Sequence, residues 1–457
     1  MNTESLIINS PYLVPESYWT QDGNGKVTAI AQGRRPAAYE LYDTRNNTRR
    51  VEPLGTVNRI RGRLEQWHND GWPGVTSVTR SLLEHWHWRG DWESNERRWQ
   101  GGPRQFPFYF CQLEAIEALI WWLEAPDDYK QGIALPGDGG PWERICNKMA
   151  TGSGKTTVMA LIITWQVLNA LQYPKDKRFS IAVFIVAPGL TVKSRLQVLY
   201  PGNTKNVYDE FGLCPNEAMR QRLNRAEVLI ENWHTLMPLK EAARSVVKKG
   251  AESDEAFTRR VLGKLASYKD IVVINDEAHH AYRQRAETKV KKKDAEELGI
   301  DLEEATRWIE GLDRIHKTRR IRRCFDLTAT PFAPTGKSNT EKGLFEWIIT
   351  DFGLNDAIEA GLVKTPRIVI RDDALPDAKT YASKLYHLYR EQEVSEDLNR
   401  KAGADEALPD LVQKAYTLLA YDWRETAKQW QEQGHTIPPV MLTVCNRTET
   451  ASRIEHF

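Results

Sequence analysis

A glycine-rich turn directly before a long apolar run is the feature that most restricts how this 457-residue chain folds. Residues 148–165 read KMATGSGKTTVMALIITW. Gly152 and Gly154 permit a tight backbone turn whose N–H groups face phosphate oxygens at the start of a helix. The stretch therefore predicts a phosphate-binding loop. A glycine-rich turn that only caps a helix has the same local pattern and stays open as an alternative.

The end of this turn meets the phosphate-loop pattern GxxxxGK[ST], although Met149 stands where that pattern begins with glycine. Lys155 is expected to reach the terminal phosphates of ATP, and Thr156 to bind Mg²⁺. The residues expected to hold the nucleotide phosphates are Gly152, Ser153, Gly154, Lys155, Thr156 and Thr157.

Four short runs rich in β-branched residues predict buried strands at 182–188, 226–232, 270–276 and 324–330. Each run is apolar on both faces and ends in polar residues or in proline and glycine. Such runs are typical of a parallel sheet covered by helices on both sides. The predicted fold is therefore α/β, with ligands at the carboxyl ends of the strands.

Two acidic residues follow the third of these runs. Asp276 and Glu277 are expected at the carboxyl edge of the sheet, beside the phosphate loop. One carboxylate can hold Mg²⁺ through water, and the other can orient and deprotonate an attacking water. An acid pair that caps a strand for solubility is the alternative, which the upstream loop disfavours.

The sequence Asp276-Glu277-Ala278-His279 forms a DEAH box. Together with MATGSGKT (149–156) and TATPF (328–332), it resembles superfamily 2 helicases and translocases, most closely the restriction subunit of type III restriction enzymes. The resemblance spans about residues 106–370 and a short stretch from 438. It implies a RecA-like P-loop domain, ATP and Mg²⁺ as cofactors, and DNA-dependent ATP hydrolysis in bacterial defence.

The resemblance also implies residue roles. Glu277, Lys155 and Asp276 would be catalytic, with Thr156 and Asp276 holding Mg²⁺. His279 would contact the nucleotide and relay its state to Thr328 and Thr330, which couple to the nucleic-acid track.

For the base, the resemblance implies that Gln112 in FYFCQLEAIEAL reads adenine, with Phe110 or Tyr109 lying against the ring. A glutamine at a helix start beside core aromatics is the alternative reading of this segment.

A DNA-strand contact is implied by the resemblance for VAPGLTVKSRL (186–196). A strand-to-helix turn that exposes backbone N–H groups, hydroxyls and basic side chains suits contacts with DNA phosphates. A simple turn has the same pattern and stays open as an alternative. The residues concerned are Pro188, Gly189, Thr191, Lys193 and Arg195, with Ser194 beside them and Asn232 and His234 as weaker candidates.

Bulk composition does not point to a polyanionic partner. Lysine and arginine number 63 against 62 aspartates and glutamates, so any DNA-binding surface must be a local patch. No apolar run approaches 18 residues, which predicts a cytoplasmic protein without membrane contact. The five cysteines are widely spaced and are expected to be buried free thiols.

The N-terminal region carries seven of the 16 tryptophans and looks irregular. Packing of these rings against the next domain is favoured over stacking on bases, because each tryptophan buries a large area. The tryptophans are Trp19, Trp67, Trp72, Trp86, Trp88, Trp92 and Trp99.

The predicted organisation is an accessory region at 1–104, a first RecA-like domain at 105–370, a helical linker at 371–437 and the start of a second RecA-like domain at 438–457. Within the last segment, Val440–Cys445 is predicted as a strand. Residues 283–308 are predicted as a charged insertion in which Lys291–Lys293 lie on a solvated helix face, with a DNA contact of these lysines as the alternative. Asp356 and Glu359 are predicted on a helix surface.

On this organisation we expect that a second motor domain and a nuclease are missing from the chain and act in cis or in trans. The expected partners are DNA, in double-stranded form, and a methyltransferase or specificity subunit. Hydrolysis is expected to be weak without the second motor domain. A regulatory protein that binds nucleotide or DNA without turnover is the alternative function.

Overall fold

The computed structural model describes residues 6–22, 27–43, 48–87, 107–238, 252–283, 302–334, 342–364, 388 and 391–457. Two compact units are present, Met1–Thr365 and Pro366–Phe457. Several sequence predictions lie outside the described residues, namely those on Trp88, Trp92, Trp99, Lys291–Lys293 and the domain limits near residues 104 and 370.

The first unit contains all the described strands. These are β1 (Ser17–Gln21), β2 (Val27–Gln32), β3 (Ala38–Asp43), β4 (Thr48–Pro53), β5 (Glu143–Met149), β6 (Ala182–Ala187), β7 (Glu227–Asn232), β8 (Ile271–Asp276), β9 (Ile321–Thr328), β10 (Phe332–Pro334), β11 (Lys342–Leu344) and β12 (Ile348–Phe352). Its described α-helices are α1 (Gly55–Asn69), α2 (Ser77–His87), α3 (Phe110–Glu124), α4 (Asp127–Lys130), α5 (Lys155–Gln172), α6 (Leu190–Arg195), α7 (Val207–Glu210), α8 (Glu217–Leu223), α9 (Asp254–Leu262), α10 (Leu302–Arg319) and α11 (Leu354–Glu359).

A parallel sheet forms the centre of the first unit. Among the described residues it has six strands in the order β12-β5-β9-β8-β6-β7, and each neighbouring pair runs parallel. The predicted α/β fold with a parallel sheet flanked by helices is confirmed, and the arrangement is consistent with a RecA-like domain. The strand order places β5, β9 and β8 side by side, so the turns that follow these strands lie at one edge.

Both faces of the sheet are buried. Val272 and Ile274 belong to a core with α3 and α5, whereas the alternate residues Ile271 and Val273 belong to a second core with α9 and α10. This two-sided burial explains why the strand was visible as a continuous apolar run. Helix α5 is buried from Thr157 to Asn169, as its unbroken apolar sequence predicts.

Strands β5 and β9 show how charged residues enter the sheet. Arg144 in β5 and Arg323 in β9 interrupt the apolar patterns, which is why β5 was not predicted and β9 begins before the predicted residue 324. Arg144 pairs with the buried Asp326, and Arg323 Nε lies 2.7 Å from Glu143 Oε2. These ion pairs compensate the charges of the two arginines within the sheet. The arginines nevertheless interrupt the apolar pattern from which a strand is predicted.

The N-terminal region is more regular than its sequence suggests, with the β1–β2 and β3–β4 hairpins followed by α1 and α2. Trp67 and Trp86 are fully buried, and the Trp86 Nε1 donates a hydrogen bond to the carbonyl of Leu213 in the sheet-bearing part of the unit. For these two rings the packing interpretation is confirmed. Because the tryptophans are irregularly spaced, the sequence did not predict the helices α1 and α2 that carry them.

The prediction of a surface position for Asp356 and Glu359 was wrong. Glu359 is 3 % exposed, and its Oε1 accepts hydrogen bonds from the backbone N–H of Trp19 and from Arg35. Asp356 Oδ2 accepts a hydrogen bond from the backbone N–H of Gly353. The N-terminal hairpin covers this helix, a contact between segments too far apart in sequence for a local pattern to reveal.

The second unit contains described α-helices α12 (Gln392–Asn399), α13 (Asp410–Glu432) and α14 (Thr448–His456). The strand predicted at Val440–Cys445 was wrong, since this segment has no regular secondary structure. Val440, Leu442 and Val444 are 85, 83 and 87 % exposed. A strand needs a neighbour to receive its backbone hydrogen bonds, and no described residue pairs with this segment.

Candidate functional site

The glycine-rich turn connects β5 to α5 at the carboxyl edge of the sheet. Gly152 and Gly154 have φ values of 87° and 88°, in the left-handed region that glycine adopts at low cost. Ser153 is fully buried, and its hydroxyl donates a 2.6 Å hydrogen bond to the carbonyl of Ala150. Helix α5 begins at Lys155, so the turn leads directly into a helix N-terminus, the arrangement that favours phosphate.

Gln112 of α3 contacts this turn. Its Nε2 donates a 3.3 Å hydrogen bond to the carbonyl of Ser153, and its Oε1 accepts one from the backbone N–H of Tyr109. A methyl group on Gly154 would come within 2.1 Å of that Nε2. The structure therefore brings Gln112 against the turn while the same side chain also caps α3. Its adenine-reading role stays a prediction.

The acid pair lies at the end of β8, two strands from β5. Glu277 has a left-handed backbone (φ 48°, ψ 52°), which is uncommon for a residue with a Cβ. Its Oε1 lies 3.0 Å from the Nζ of Lys155. The sequence-based prediction requires Lys155 and the acid pair to converge, and in the structure they do.

Asp276 is buried beside a second carboxylate, that of Glu277. Burial and the carboxylate of Glu277 raise the pKa of Asp276 to about 6, despite the opposing charges of Lys155 and Arg195. A divalent cation would relieve the repulsion between two adjacent carboxylates. The oxygen donors at this edge therefore fit Mg²⁺, for which Asp276 and the hydroxyl of Thr156 are the predicted ligands.

His279 connects the acid pair to the neighbouring strand. Its Nδ1 lies 2.8 Å from the Thr328 hydroxyl at the end of β9 and 3.6 Å from Glu277 Oε2. The same hydroxyl accepts a hydrogen bond from the backbone N–H of Thr330. Thr328 is fully buried whereas Thr330 is exposed, so the chain of contacts runs from the acid pair to the surface.

The turn after β6 carries the predicted DNA contacts. Thr191 and Arg195 are exposed, while Pro188 and Gly189 are half-buried. The Lys193 Nζ instead lies 2.6 Å from the carboxylate of Glu231 in β7. That carboxylate partly neutralises the lysine, so the exposed polar groups of this turn are mainly backbone, hydroxyl and Arg195.

A buried ion pair connects the strands that carry the site. Arg144 Nε donates a 2.8 Å hydrogen bond to Asp326, which also accepts hydrogen bonds from Asn275 and Trp347. Arg144 Nη2 further donates to the carbonyl of Ala281, just after the DEAH box. One guanidinium thus links β5, β9 and the segment that follows β8.

Sequence reasoning missed a second polar cluster and the cavity that contains it. A cavity of about 850 Å³ is lined by His68, His87, Glu114 and Glu117 on the face of α3 away from Gln112. His68, His87 and Glu117 come from three different helices, so no short motif marks them. Histidine within three residues of Trp86 and Trp88 was the available signal, and it is a weak one.

A family model described as type III restriction enzyme, res subunit, matches residues 105–333, which contain the glycine-rich turn, the acid pair and the TATPF segment. A search of curated proteins finds no match to the chain. No helix among the described ranges has both the length and the apolar character needed to cross a bilayer. Because the family model covers half of the 457 residues, the chain belongs to the type III restriction enzyme res-subunit family, which is a family of helicase-like ATPases.

Proposed function

We propose that the chain carries the ATP-binding domain of a DNA-dependent helicase or translocase of the DEAH-box type, acting in bacterial restriction of foreign DNA. The contact of Lys155 Nζ with Glu277 Oε1, 3.0 Å apart at the carboxyl edge of the sheet, carries the proposal. It brings a cation suited to phosphate and a carboxylate suited to water activation to one place.

In this proposal each side chain of the site has a separate role in ATP binding or hydrolysis. Lys155 binds the terminal phosphates, which releases Glu277 from its ion pair. Glu277 then orients the attacking water and accepts its proton. Thr156 and Asp276 would hold Mg²⁺, which would supply positive charge against the phosphate oxygens. Gln112, against the glycine turn, reads adenine.

The coupling to DNA is assigned to His279 and the TATPF segment. His279 lies between the carboxylate of Glu277 and the buried hydroxyl of Thr328, and Thr330 next to them is exposed. A change in the state of Glu277 therefore has a short route to the surface. The exposed groups of the turn after β6 would grip phosphates of double-stranded DNA without reading its sequence.

Fast turnover is proposed to depend on an arginine that stabilises the charge of the transition state. Helicase-like motors of this kind take a charge-stabilising arginine from a second RecA-like domain, and such an arginine is worth about a thousandfold or more in rate. That domain, a nuclease and a methylating specificity subunit are the proposed partners. They would supply cleavage and sequence recognition.

The test is phosphate release by the purified chain with and without double-stranded DNA, beside nucleotide binding measured separately. DNA-stimulated release that Glu277→Gln abolishes supports the proposal. Glu310→Gln on the exposed side of α10 is the matched carboxylate control and should behave as wild type. Nucleotide binding without turnover in wild type, with or without a second RecA-like domain added in trans, would instead support a regulatory binding protein.

A further inference from the structure

Three metal-ligand side chains meet in the cavity on the far side of α3. His68 is near the end of α1, His87 ends α2, and Glu117 lies in the middle of α3. One imidazole nitrogen from each histidine and a carboxylate oxygen lie within 4.8 Å of one another. The nucleotide site contributes none of these groups, because Gln112 occupies the opposite face of α3.

The distances suit a small divalent cation. His68 Nδ1 lies 2.8 Å and His87 Nε2 lies 3.1 Å from Glu117 Oε1. Zinc binds histidine nitrogen and carboxylate oxygen at about 2.0–2.2 Å, so the ligand atoms of a tetrahedral site are separated by about 3.4 Å. Both histidine–glutamate distances are therefore close to the separation that a shared ion requires.

The orientation of His87 favours a cation over a simple ion pair. Its Nε2 is buried and has no hydrogen-bond partner among the described residues, although it is only 3.1 Å from Glu117 Oε1. The nitrogen therefore lies close to the carboxylate but out of line for donating to it. A nitrogen and a carboxylate oxygen this close to each other can share one cation.

The surroundings hold the ligands in place and leave one side open. Trp72 Nε1 donates a 2.7 Å hydrogen bond to Glu117 Oε1 and its ring packs edge-on against His68. The carboxylate is 8 % exposed, whereas His68 is 39 % exposed and borders the cavity. Water from the cavity can supply a fourth ligand, as in three-residue zinc sites.

We propose that His68, His87 and Glu117 bind one zinc-like divalent transition-metal ion that fastens α1 and α2 to α3. Two imidazoles with a carboxylate are a ligand set that zinc accepts, whereas Mg²⁺ prefers oxygen ligands alone. The ion joins the tryptophan-rich N-terminal region to the first helix of the ATPase domain. This inference stands apart from the proposed function, since it shares no residue with the nucleotide site.

The competing arrangement is a carboxylate held by two protonated imidazoles. In it, burial raises the pKa of Glu117, but the charge of His87 and the hydrogen bond from His68 outweigh that effect and lower it to about 2. That arrangement binds protons and needs no metal, so direct measurement of zinc separates the two.

The experiment uses the full chain, freed of any histidine tag and stripped with a chelator. Zinc is titrated near neutral pH against a chromogenic chelator, and bound metal is counted by elemental analysis. Asp276→Asn is run in parallel to exclude zinc at the nucleotide site. We expect one zinc per chain in both proteins, and a visible ligand-field spectrum of tetrahedral type when cobalt replaces zinc.

Variants locate the ion. His87→Ala and Glu117→Gln should weaken zinc binding by about a hundredfold or more. His85→Ala, two residues away on α2, should bind as wild type because His85 Nε2 contacts the carbonyl of Gly212 instead. Should the first two variants misfold, thermal unfolding of wild type decides, since zinc should raise its Tm. Absence of bound zinc in wild type, or unchanged binding in correctly folded His87→Ala, would overturn the inference.

Discussion

The ammonium of Lys155 and the carboxylate of Glu277 are in direct contact, with 3.0 Å between Nζ and Oε1, although 121 positions separate them in sequence. Both groups are partly exposed at the carboxyl edge of the sheet. The contact neutralises each group until a more negative ligand competes for the lysine. Substitution of Lys155 and substitution of Glu277 should therefore have different effects on ATP binding and turnover.

Lys155→Ala should weaken ATP binding by about 10- to 100-fold, because it removes a charge-assisted hydrogen bond worth about 1.5–3 kcal/mol. Lys193→Ala is the matched control, since its ammonium is paired with Glu231 on a different turn. Fluorescent ATP-analogue titration measures both. Equal losses in the two variants would contradict the assignment of the phosphates to the glycine-rich turn.

Glu277→Gln should retain ATP binding and lose about 10²- to 10⁴-fold in turnover, because an amide cannot accept the proton of the attacking water. Removal of its charge also frees Lys155, so affinity for ATP should hold or rise. Single-turnover phosphate release combined with nucleotide titration separates the two effects. A variant that loses binding and turnover in parallel would show that Glu277 has only a structural role.

Gly154→Ala should damage the nucleotide site through two effects. The backbone φ of 88° disfavours any residue with a Cβ, and the new methyl would approach Gln112 Nε2 to 2.1 Å. The double variant with Gln112→Ala removes only the clash and should recover part of the free energy of unfolding. Gly189→Ala has an extended backbone and open space, so it should cost little.

Denaturant unfolding of these glycine variants, with ATP titration alongside, measures both effects. If Gly154→Ala proves as stable as Gly189→Ala, the left-handed turn described for residues 152–154 is incorrect. If the double variant recovers nothing, Gln112 does not lie against the turn.

His279→Ala should lower the ratio of DNA-stimulated to basal ATP turnover, because it breaks the 2.8 Å contact with Thr328 that leads to exposed Thr330. The ratio is the informative quantity, since His279 also lies near Glu277. Thr328→Val removes the same contact from the other side and should lower the ratio similarly. Full stimulation in both variants would mean that the signal travels by another route.

The parts of the fold that could be predicted are those whose residues repeat one local preference. Strand β8 is apolar on both faces, and the turn before Lys155 needs glycines, so both were visible in sequence. Strand β5 was missed because Arg144 and Lys148 break its apolar pattern. Their charges are compensated by Asp326 and Asp351, partners about 200 residues away that only the folded chain brings near.

The candidate sites divide in the same way. The meeting of Lys155 with Glu277 could be predicted because each follows a strand, and parallel strands bring their carboxyl ends together. The cluster of His68, His87 and Glu117 could not, since the packing of three helices assembles it. The strand prediction for Val440–Cys445 was wrong because local composition was its only basis. The composition favours a strand, but a strand also requires a neighbour with which to pair.

Removal of the buried pair of Arg144 and Asp326 should be asymmetric, because the loss of one charge leaves the other buried without its partner. Arg144→Met leaves the carboxylate buried without its main counter-ion and should cost about 3–5 kcal/mol of unfolding free energy. Arg144→Met with Asp326→Leu removes both charges and should cost less than the single change. Urea unfolding followed by tryptophan fluorescence measures both, with exposed Arg307→Met as control. Because Arg144 also holds the carbonyl of Ala281 after the DEAH box, ATP turnover should fall in the single variant even at temperatures where it remains folded.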